Sequence, residues 1–191
     1  MPVITGGKAV AERMVALLRG INVGKAKRVG MADLRALVEG LGFRDVRTLL
    51  NSGNVVFTAP RPVAPDRTAE RIEKALAERT GVSARVTVVT AAELDAAVAG
   101  NPLARVADEP ARFLVAFLNK PVHRAKLEVL AKEDWAPEAL GVGPRVAYLW
   151  CANGILDSRL WSAVGKALGE GVTSRNWATV LKLQALCLNT E

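Results

Sequence analysis

Apolar residues in the first part of the chain alternate between short continuous runs and helical spacing. Met14–Leu18 is a short apolar run, which predicts a strand, and apolar residues recur every three or four positions in 31–41, which predicts a helix. Two further β-rich runs, 46–50 and 55–58, flank the segment 51–54 (Asn-Ser-Gly-Asn), whose residues favour a tight turn. The pattern therefore predicts a strand, a helix and a β-hairpin in that order.

A second helix and a fourth strand follow. Three prolines precede a helix expected from 66 to 81, and 85–89 is the next strand. Thr90 and Glu93 then fit a capping box for a short helix that stops at 100–102. The order β-α-β-β-α-β is that of the ferredoxin-like split βαβ unit.

The rest of the chain begins a second series of elements after a charged joint at 104–111. The expected elements are strands at 113–118 and 146–151, and helices that start at Pro121, at Asp157 or Ser158, and at Thr173 or Ser174. We therefore predict an α+β fold of two ferredoxin-like halves in a duplicated arrangement, with antiparallel or mixed sheets that carry helices on one face.

The predicted halves span 14–104 and 112–191. Residues 1–13 show neither a strand period nor a helix period, so we interpret them as a disordered leader or a tag.

Composition is that of an ordinary globular protein: half of the 191 residues are apolar and 24% are charged. No run of about 18 apolar residues exists to span a bilayer, and no secretory signal is visible, so we expect a cytosolic protein without membrane contact. Cys151 and Cys187 are the only cysteines, and they are interpreted as two buried thiols rather than a disulfide.

The residue inventory disfavours several chemistries. His123 is the single histidine and has no acid or cysteine nearby, which leaves no metal-ligand spacing and no catalytic triad. The glycine-rich segment 20–26 follows a strand and precedes a helix, but it lacks the spacing and the Ser or Thr of a Walker loop. No metal or cofactor is therefore expected, whereas anion binding by that loop stays open beside a purely structural turn.

Positive charge is concentrated near the N-terminus of a chain whose net charge is +7. Arg19, Lys25, Lys27 and Arg28 lie within ten residues that contain no acid, which suits phosphate or carboxylate groups but also describes a solvated basic loop.

A second candidate anion site lies where the last helix is expected to begin. The segment 174–177 (Ser-Arg-Asn-Trp) would place backbone amides and the Arg175 guanidinium at a helix start, with Lys182 two turns further along the same face. The alternatives are that Ser174 caps the helix, Trp177 fills the core and Arg175 pairs with a structural acid.

Three blocks of the sequence closely resemble a known family. They are 17–24 (LLRGINVG), 51–57 (NSGNVVF) and 174–183 (SRNWATVLKL), which in this order resemble the signature blocks of the bacterial domain of unknown function 1697 family. The resemblance implies a cytosolic bacterial protein with a duplicated, ferredoxin-like α+β fold, and it brings no established activity. Lys25-Ala26 stands where family members tend to have another glycine, which weakens a phosphate-loop interpretation.

The polar residues of the three blocks stand at predicted strand ends, the hairpin tip and a helix start, so we hypothesise that they line one cleft between the halves. The candidate ligand-binding residues are Arg19, Asn22, Lys25, Asn51, Ser52, Asn54, Ser174, Arg175, Asn176, Trp177 and Lys182. Two guanidinium groups favour a small anionic ligand, such as a nucleotide or a phosphate-bearing metabolite.

Three alternatives stay open. A nucleic-acid binder would suit the net charge, although the paired aromatics that stack bases on a sheet are missing. An enzyme of unknown transfer or hydrolysis chemistry would use the Asn, Ser and Arg groups, and an interaction module would act as a monomer or a homodimer.

Overall fold

The structure is a computed structural model that describes residues 10–189 of the chain, and within that range it contains two four-stranded antiparallel sheets and six α-helices. The strands are β1 (Glu12–Leu18), β2 (Arg44–Leu49), β3 (Asn54–Ala59), β4 (Val86–Thr90), β5 (Phe113–Leu118), β6 (Ala139–Val142), β7 (Val146–Trp150) and β8 (Val172–Asn176). The helices are α1 (Met31–Gly40), α2 (Pro65–Thr80), α3 (Ala91–Ala99), α4 (His123–Leu130), α5 (Arg159–Leu168) and α6 (Trp177–Leu188), and a 3-10 helix covers Gly169–Gly171.

The first half runs from β1 to α3, with its strands in the order β2-β3-β1-β4. Because side chains alternate across a strand, β1 serves two cores. Met14, Ala16 and Leu18 face α1 and α2, whereas Val15 and Leu17 face the second half. The central strand of the sheet is therefore buried on both faces.

β1 begins two residues earlier than the sequence predicts. Glu12 and Arg13 pair with Ala59 and Thr58 of β3, so they belong to the fold and not to a leader. The expectation was wrong there because this half-buried end of the strand carries two charged residues, which hide its apolar pattern. The rest of the predicted leader, residues 1–9, lies outside the described residues.

The second half repeats the element order and the strand order, β6-β7-β5-β8, so the predicted layout of two α+β halves is confirmed. Two of its strands were not predicted. β6 is four residues long and contains Gly141, which leaves little apolar pattern to detect. β8 takes up Thr173 and Ser174, where the last helix was expected to start, and α6 begins only at Trp177.

The inner faces of the two sheets meet around α3 and α6, which pack on each other between them. Val15 and Val56 of the first sheet share this central core with Phe113 and Val115 of the second. The Tyr148 side chain extends through this core, and its hydroxyl donates to the Ala97 carbonyl at 2.7 Å. The central core therefore joins the halves through extensive apolar burial.

Equivalent positions of the two halves meet near the middle of this interface. The Arg19 N–H donates to the Arg85 carbonyl in the first half, and the Asn119 N–H donates to the Gly171 carbonyl in the second. Two residues beyond these carbonyls, the hydroxyls of Thr87 and Thr173 share a hydrogen bond at 3.0 Å, and the Thr87 hydroxyl also contacts Oδ1 of Asn119. The halves are thus arranged about an approximate two-fold axis that passes close to the two threonines.

Several local signals are confirmed. Thr90 and Glu93 form both hydrogen bonds of the capping box at the start of α3, and Ser158, rather than Asp157, caps α5. Cys151 and Cys187 are buried free thiols. Burial raises the pKa of both, that of Cys187 to about 11, so both stay protonated and inert near neutral pH.

Across residues 10–189, none of the helices is both long and apolar enough to cross a bilayer.

Candidate functional site

Arg175 lies on β8 and reaches across the interface into the hairpin tip of the first half. Its Nη2 donates to the Leu18 carbonyl at 2.7 Å and to the Ser52 carbonyl at 3.0 Å. Its Nε donates to Oδ1 of the buried Asn54 at 2.5 Å. Burial lowers the pKa of the Arg175 guanidinium to about 10, and no carboxylate among the described residues pairs with it.

Asn54 and Gly53 shape the hairpin tip that receives this guanidinium. The Asn54 amide donates to the Leu49 carbonyl at 2.8 Å and to the Ser52 hydroxyl at 3.0 Å, so its carbonyl oxygen is held toward Arg175. Gly53 has φ +80°, and a Cβ there would lie 2.7 Å from Cδ1 of Ile21. The tip is therefore closely packed, and its carbonyls are occupied by the protein itself.

Asn22 and Asn51 are also brought together, but as parts of a loop clamp. The Asn22 side chain donates to the Val29 carbonyl at 2.9 Å and to the Asn51 carbonyl at 2.8 Å, and its Oδ1 accepts from the Val29 N–H. Asn22 has φ +56°, a conformation that Asn tolerates better than most residues. Its amide thus closes the 20–30 loop over the hairpin.

The other members of the C-terminal block have separate structural partners. Asn176 caps α6 by accepting from the Thr179 N–H at 3.0 Å, and Trp177 packs on the Phe113 ring with centroids 5.0 Å apart. Arg175 and Lys182 do not share a helix face as predicted, because Arg175 is in β8. Lys182 is exposed on α6.

The predicted residues therefore converge only in part. Arg175, Asn54 and Ser52 meet, and Asn22 contacts Asn51 beside them. Ser174 contributes only its carbonyl, which accepts from Nη1 of Arg175 at 2.8 Å. Lys25 is exposed on the loop, away from this cluster's hydrogen bonds. The result is a closed polar network that ties the halves together.

Open space lies instead on another side of the interface, in a groove with two connected arms. The first, which we call the basic arm, has a volume of about 450 Å³ and is lined by Arg19, Gly20, Lys27, Glu73, Ser83, Ala84, Arg85 and Glu170. The second, the strand arm, has a volume of about 370 Å³ and runs along β4 between α2 and the loop after β5. Glu73, Arg85 and Glu170 line both arms, so the two spaces adjoin.

Arg19 connects the predicted network to the basic arm. Its Nη1 donates to the Val172 carbonyl at 2.7 Å and also to the Gly169 carbonyl. Arg19 is thus the one predicted residue that also lines this arm. Its guanidinium is held by neutral carbonyls rather than by a carboxylate, so its charge stays uncompensated by a direct ion pair among the described residues.

Ion pairs cross between the halves at the groove. Arg85 approaches Glu73 and Glu170 at 3.4 Å each, and all three side chains are partly exposed. At the far end of the strand arm, Arg145 contacts Glu93 at 3.0 Å and Asp66 at 3.6 Å. Pairs in such solvent contact hold the groove weakly.

Sequence reasoning missed most of the groove. Lys27 was noted in the basic cluster but not chosen as a site residue, and Arg85, Lys120 and Arg145 were not considered. His123, the single histidine, is half-buried, and its Nδ1 lies 3.1 Å from the Gly171 carbonyl oxygen.

Among residues 10–189, no three His, Cys, Asp or Glu side chains lie close enough together to hold a metal ion.

Comparison with known proteins gives a family and a fold. Residues 11–148 match the family described as "Protein of unknown function (DUF1697)". A conserved bacterial protein from Streptococcus pneumoniae has a similar structure, with a TM-score of 0.72 and 21% sequence identity over 93% of this chain and 99% of that one. Among curated proteins, none matches this chain.

Proposed function

The chain belongs to the DUF1697 family of bacterial proteins of unknown function, and we propose that it binds a small anionic ligand in the basic arm of the groove between its halves. A nucleotide or a phosphate-bearing metabolite is the ligand class that this arm suits. The observation that carries the proposal is that Arg19, Lys27 and Arg85 line one open space from separate segments of the chain.

The charge balance of the basic arm favours an anion. Three basic side chains face two carboxylates, Glu73 and Glu170, and both carboxylates are already paired with Arg85. Lys27 is exposed and has no ion-pair partner among the described residues, so its ammonium is available to a ligand. An anion placed between Lys27 and Arg19 would gain two charge-assisted contacts without displacing an internal pair.

Backbone geometry supports the same location. Gly20 lines the arm with φ +67°, and nothing lies within 4 Å of the position its Cβ would occupy, so a ligand can approach the backbone there. Lys27 also has a positive φ, +50°, and its carbonyl accepts from the Asn22 N–H at 3.0 Å. The Asn22 clamp thus positions Lys27 beside the arm.

The strand order of each half also supports a more specific description of its fold. We interpret each half as a ferredoxin-like unit because β1 and β5 are central strands, each flanked by two antiparallel neighbours, with two helices on the outer face. RNA-binding modules of this type read bases on an open sheet face. Here both faces of the central strands are buried, which favours a groove ligand over nucleic acid on the sheet.

Charge reversal of Lys27 tests the proposal. The parent protein, at 150 mM salt, should show saturable binding of inorganic pyrophosphate or ATP by titration calorimetry and a matching rise in melting temperature. Lys27→Glu should weaken that affinity by about tenfold, since one favourable charge contact becomes repulsive.

Lys25→Glu is the matched control, because Lys25 lies in the same loop, is exposed and makes the same change in net charge without lining the arm. Its affinity should stay within about twofold of the parent. Equal losses in the two variants would mean attraction by overall charge, and no binding by the parent would refute the site.

A further inference from the structure

We propose that Glu170 determines which anions the basic arm accepts, because it occupies Arg85 until a second phosphate group of the ligand takes its place. The inference rests on the proposed anion site and deepens it by naming the class of ligand, a diphosphate or another compound with two phosphate groups. It starts from the two carboxylates that contact Arg85 where the arms adjoin, those of Glu73 and Glu170. They differ in how firmly the protein holds them.

Glu73 is a fixed partner of Arg85. One of its carboxylate oxygens accepts from the Val86 N–H at 2.8 Å, and the other lies 3.4 Å from Nη1 of Arg85. Its side chain is only 24% exposed. Because both oxygens are engaged and the side chain is largely enclosed, Glu73 keeps its place when a ligand enters and holds one side of the guanidinium.

Glu170, by contrast, is held loosely. Its carboxylate has one partner among the described residues, Nε of Arg85 at 3.4 Å, and its side chain is 75% exposed. Charge-assisted hydrogen bonds are normally about 2.7–2.9 Å long, and exposed ion pairs contribute little to stability. A ligand can therefore displace the Glu170 carboxylate at small cost.

The backbone that carries Glu170 is fixed, so the displacement needs only a rotation of its side chain. Arg19 donates to the carbonyls of the first and last residues of the turn 169–172. Asn119 donates to the two carbonyls between them, through its side chain and its backbone N–H, at 3.0 Å each. Arg19 also lines the basic arm, so the guanidinium that faces the ligand holds the turn in place as well.

Arg85 offers a ligand two donors once Glu170 leaves. Nε and Nη2 lie on the same edge of a guanidinium, and Nη2 of Arg85 has no partner among the described residues. Glu170 uses Nε alone, whereas a phosphate group can accept from both donors at once. Nη1 stays with Glu73. Arg85 is thus able to bind a phosphate in a bidentate manner without leaving its fixed partner.

The charge of the ligand decides whether the exchange is favourable. A group with one negative charge would replace one ion pair of Arg85 with an equivalent pair, whereas a phosphate monoester carries about 1.5 to 2 negative charges at pH 7. The volume of the arm, about 450 Å³, is within the range of about 300–1,000 Å³ typical of small-molecule sites. One phosphate group between Lys27 and Arg19 and a second at Arg85 would therefore use all three basic side chains.

Glu170→Gln tests this role, since it keeps the shape of the side chain and removes the competing charge. By titration calorimetry at 150 mM salt, its affinity for inorganic pyrophosphate should rise about tenfold over the parent, and that for orthophosphate should rise less than threefold, because orthophosphate needs only Lys27 and Arg19. Glu78→Gln is the matched control, because Glu78 is exposed on α2 outside the groove and the substitution makes the same change in net charge. Its affinities should stay within about twofold of the parent.

A double-mutant cycle with Arg85 separates competition at this residue from a general effect of charge. Arg85→Gln should weaken pyrophosphate binding about tenfold, and adding Glu170→Gln to it should change the affinity less than twofold, since the donor for which Glu170 competes is gone. No gain in Glu170→Gln, an equal gain for both phosphates, or an equal gain without Arg85 would overturn the role of Glu170 and leave the anion site intact. If neither the parent nor Glu170→Gln binds either phosphate, the anion site and this inference both fail.

Discussion

The two ends of the interface each contain an arginine, but the two arginines work in opposite environments. At one end, Arg175 of β8 is held by the carbonyls of Leu18 and Ser52 and by Asn54. At the other end, Arg145 stands at the hairpin tip of the second half and is held by the carboxylates of Glu93 and Asp66.

The two hairpin tips are structurally equivalent, which makes the difference informative. The Leu18 N–H donates to the Gly53 carbonyl, and the Leu118 N–H donates to the Arg145 carbonyl. At the first tip, Gly53 lets the guanidinium of Arg175, which comes from the other half, reach the backbone. The equivalent position of the second tip is Arg145, whose side chain reaches carboxylates of the first half. The comparison teaches that the polar residues of a signature block can serve the joint between halves. Of the residues in these blocks, Arg19 and Gly20 also line the open groove, and the rest of its lining comes from other parts of the chain.

Removal of the Arg175 guanidinium should have the largest effect on stability. Arg175→Met should reduce the free energy of unfolding by about 3 kcal/mol, because Oδ1 of the buried Asn54 and four carbonyls each lose a hydrogen bond from the guanidinium. Arg175→Lys keeps the charge but not the forked donor, so it should recover less than half of the loss. Urea unfolding measures both, and a loss below about 1 kcal/mol would mean that desolvation of the guanidinium cancels its bonds.

A smaller effect is expected from the hairpin tip itself. Gly53→Ala should cost about 2 kcal/mol, since it combines a positive φ with a Cβ placed 2.8 Å from the Leu18 Cβ. Gly154→Ala is the control, because Gly154 has φ +96° and nothing within 4 Å of the added methyl. Calorimetric melting should show the larger loss at Gly53; equal losses would mean that φ alone matters and that the tip is not closely packed.

The smallest effect is expected at the Arg145 end. Arg145→Met should cost about 0.5 to 1 kcal/mol at low salt, because its two carboxylate partners are partly exposed. In 1 M NaCl that cost should fall further, whereas the cost of Arg175→Met should persist, since buried donors are little screened. If the cost of Arg145→Met did not change with salt, the two ends of the interface would not differ in how well solvent screens their arginines.

The elements with strong local signals were predictable from the sequence. The Thr90 capping box, the helix that ends at Gly81 and the hairpin around Gly53 all depend on interactions within a few residues, and all are present. β8 was missed because its segment contains Thr173 and Ser174, which favour helix caps as readily as an edge strand. Tertiary pairing with β5 decides between the two, and no local pattern records it.

The candidate site was less predictable than the fold. Arg19 was identified because it stands in a charged cluster, but Arg85 reads as the first residue of a strand and Lys120 as a surface lysine. They line one groove only because the second half folds back onto β4 and α2. Arg175 was expected to meet a ligand, but apart from Asn54 its partners are backbone carbonyls, which every residue has and which no sequence pattern therefore marks.

The contact between Thr87 and Thr173 has an implication for how such a chain can arise. A symmetric dimer of a single half would need, at its axis, a side chain that bonds its own copy, and a hydroxyl can both donate and accept. Covalent linkage then releases the two copies from symmetry, so that one keeps a glycine where its twin acquires an arginine. The two halves thus meet as the subunits of a symmetric dimer would, although they belong to one chain.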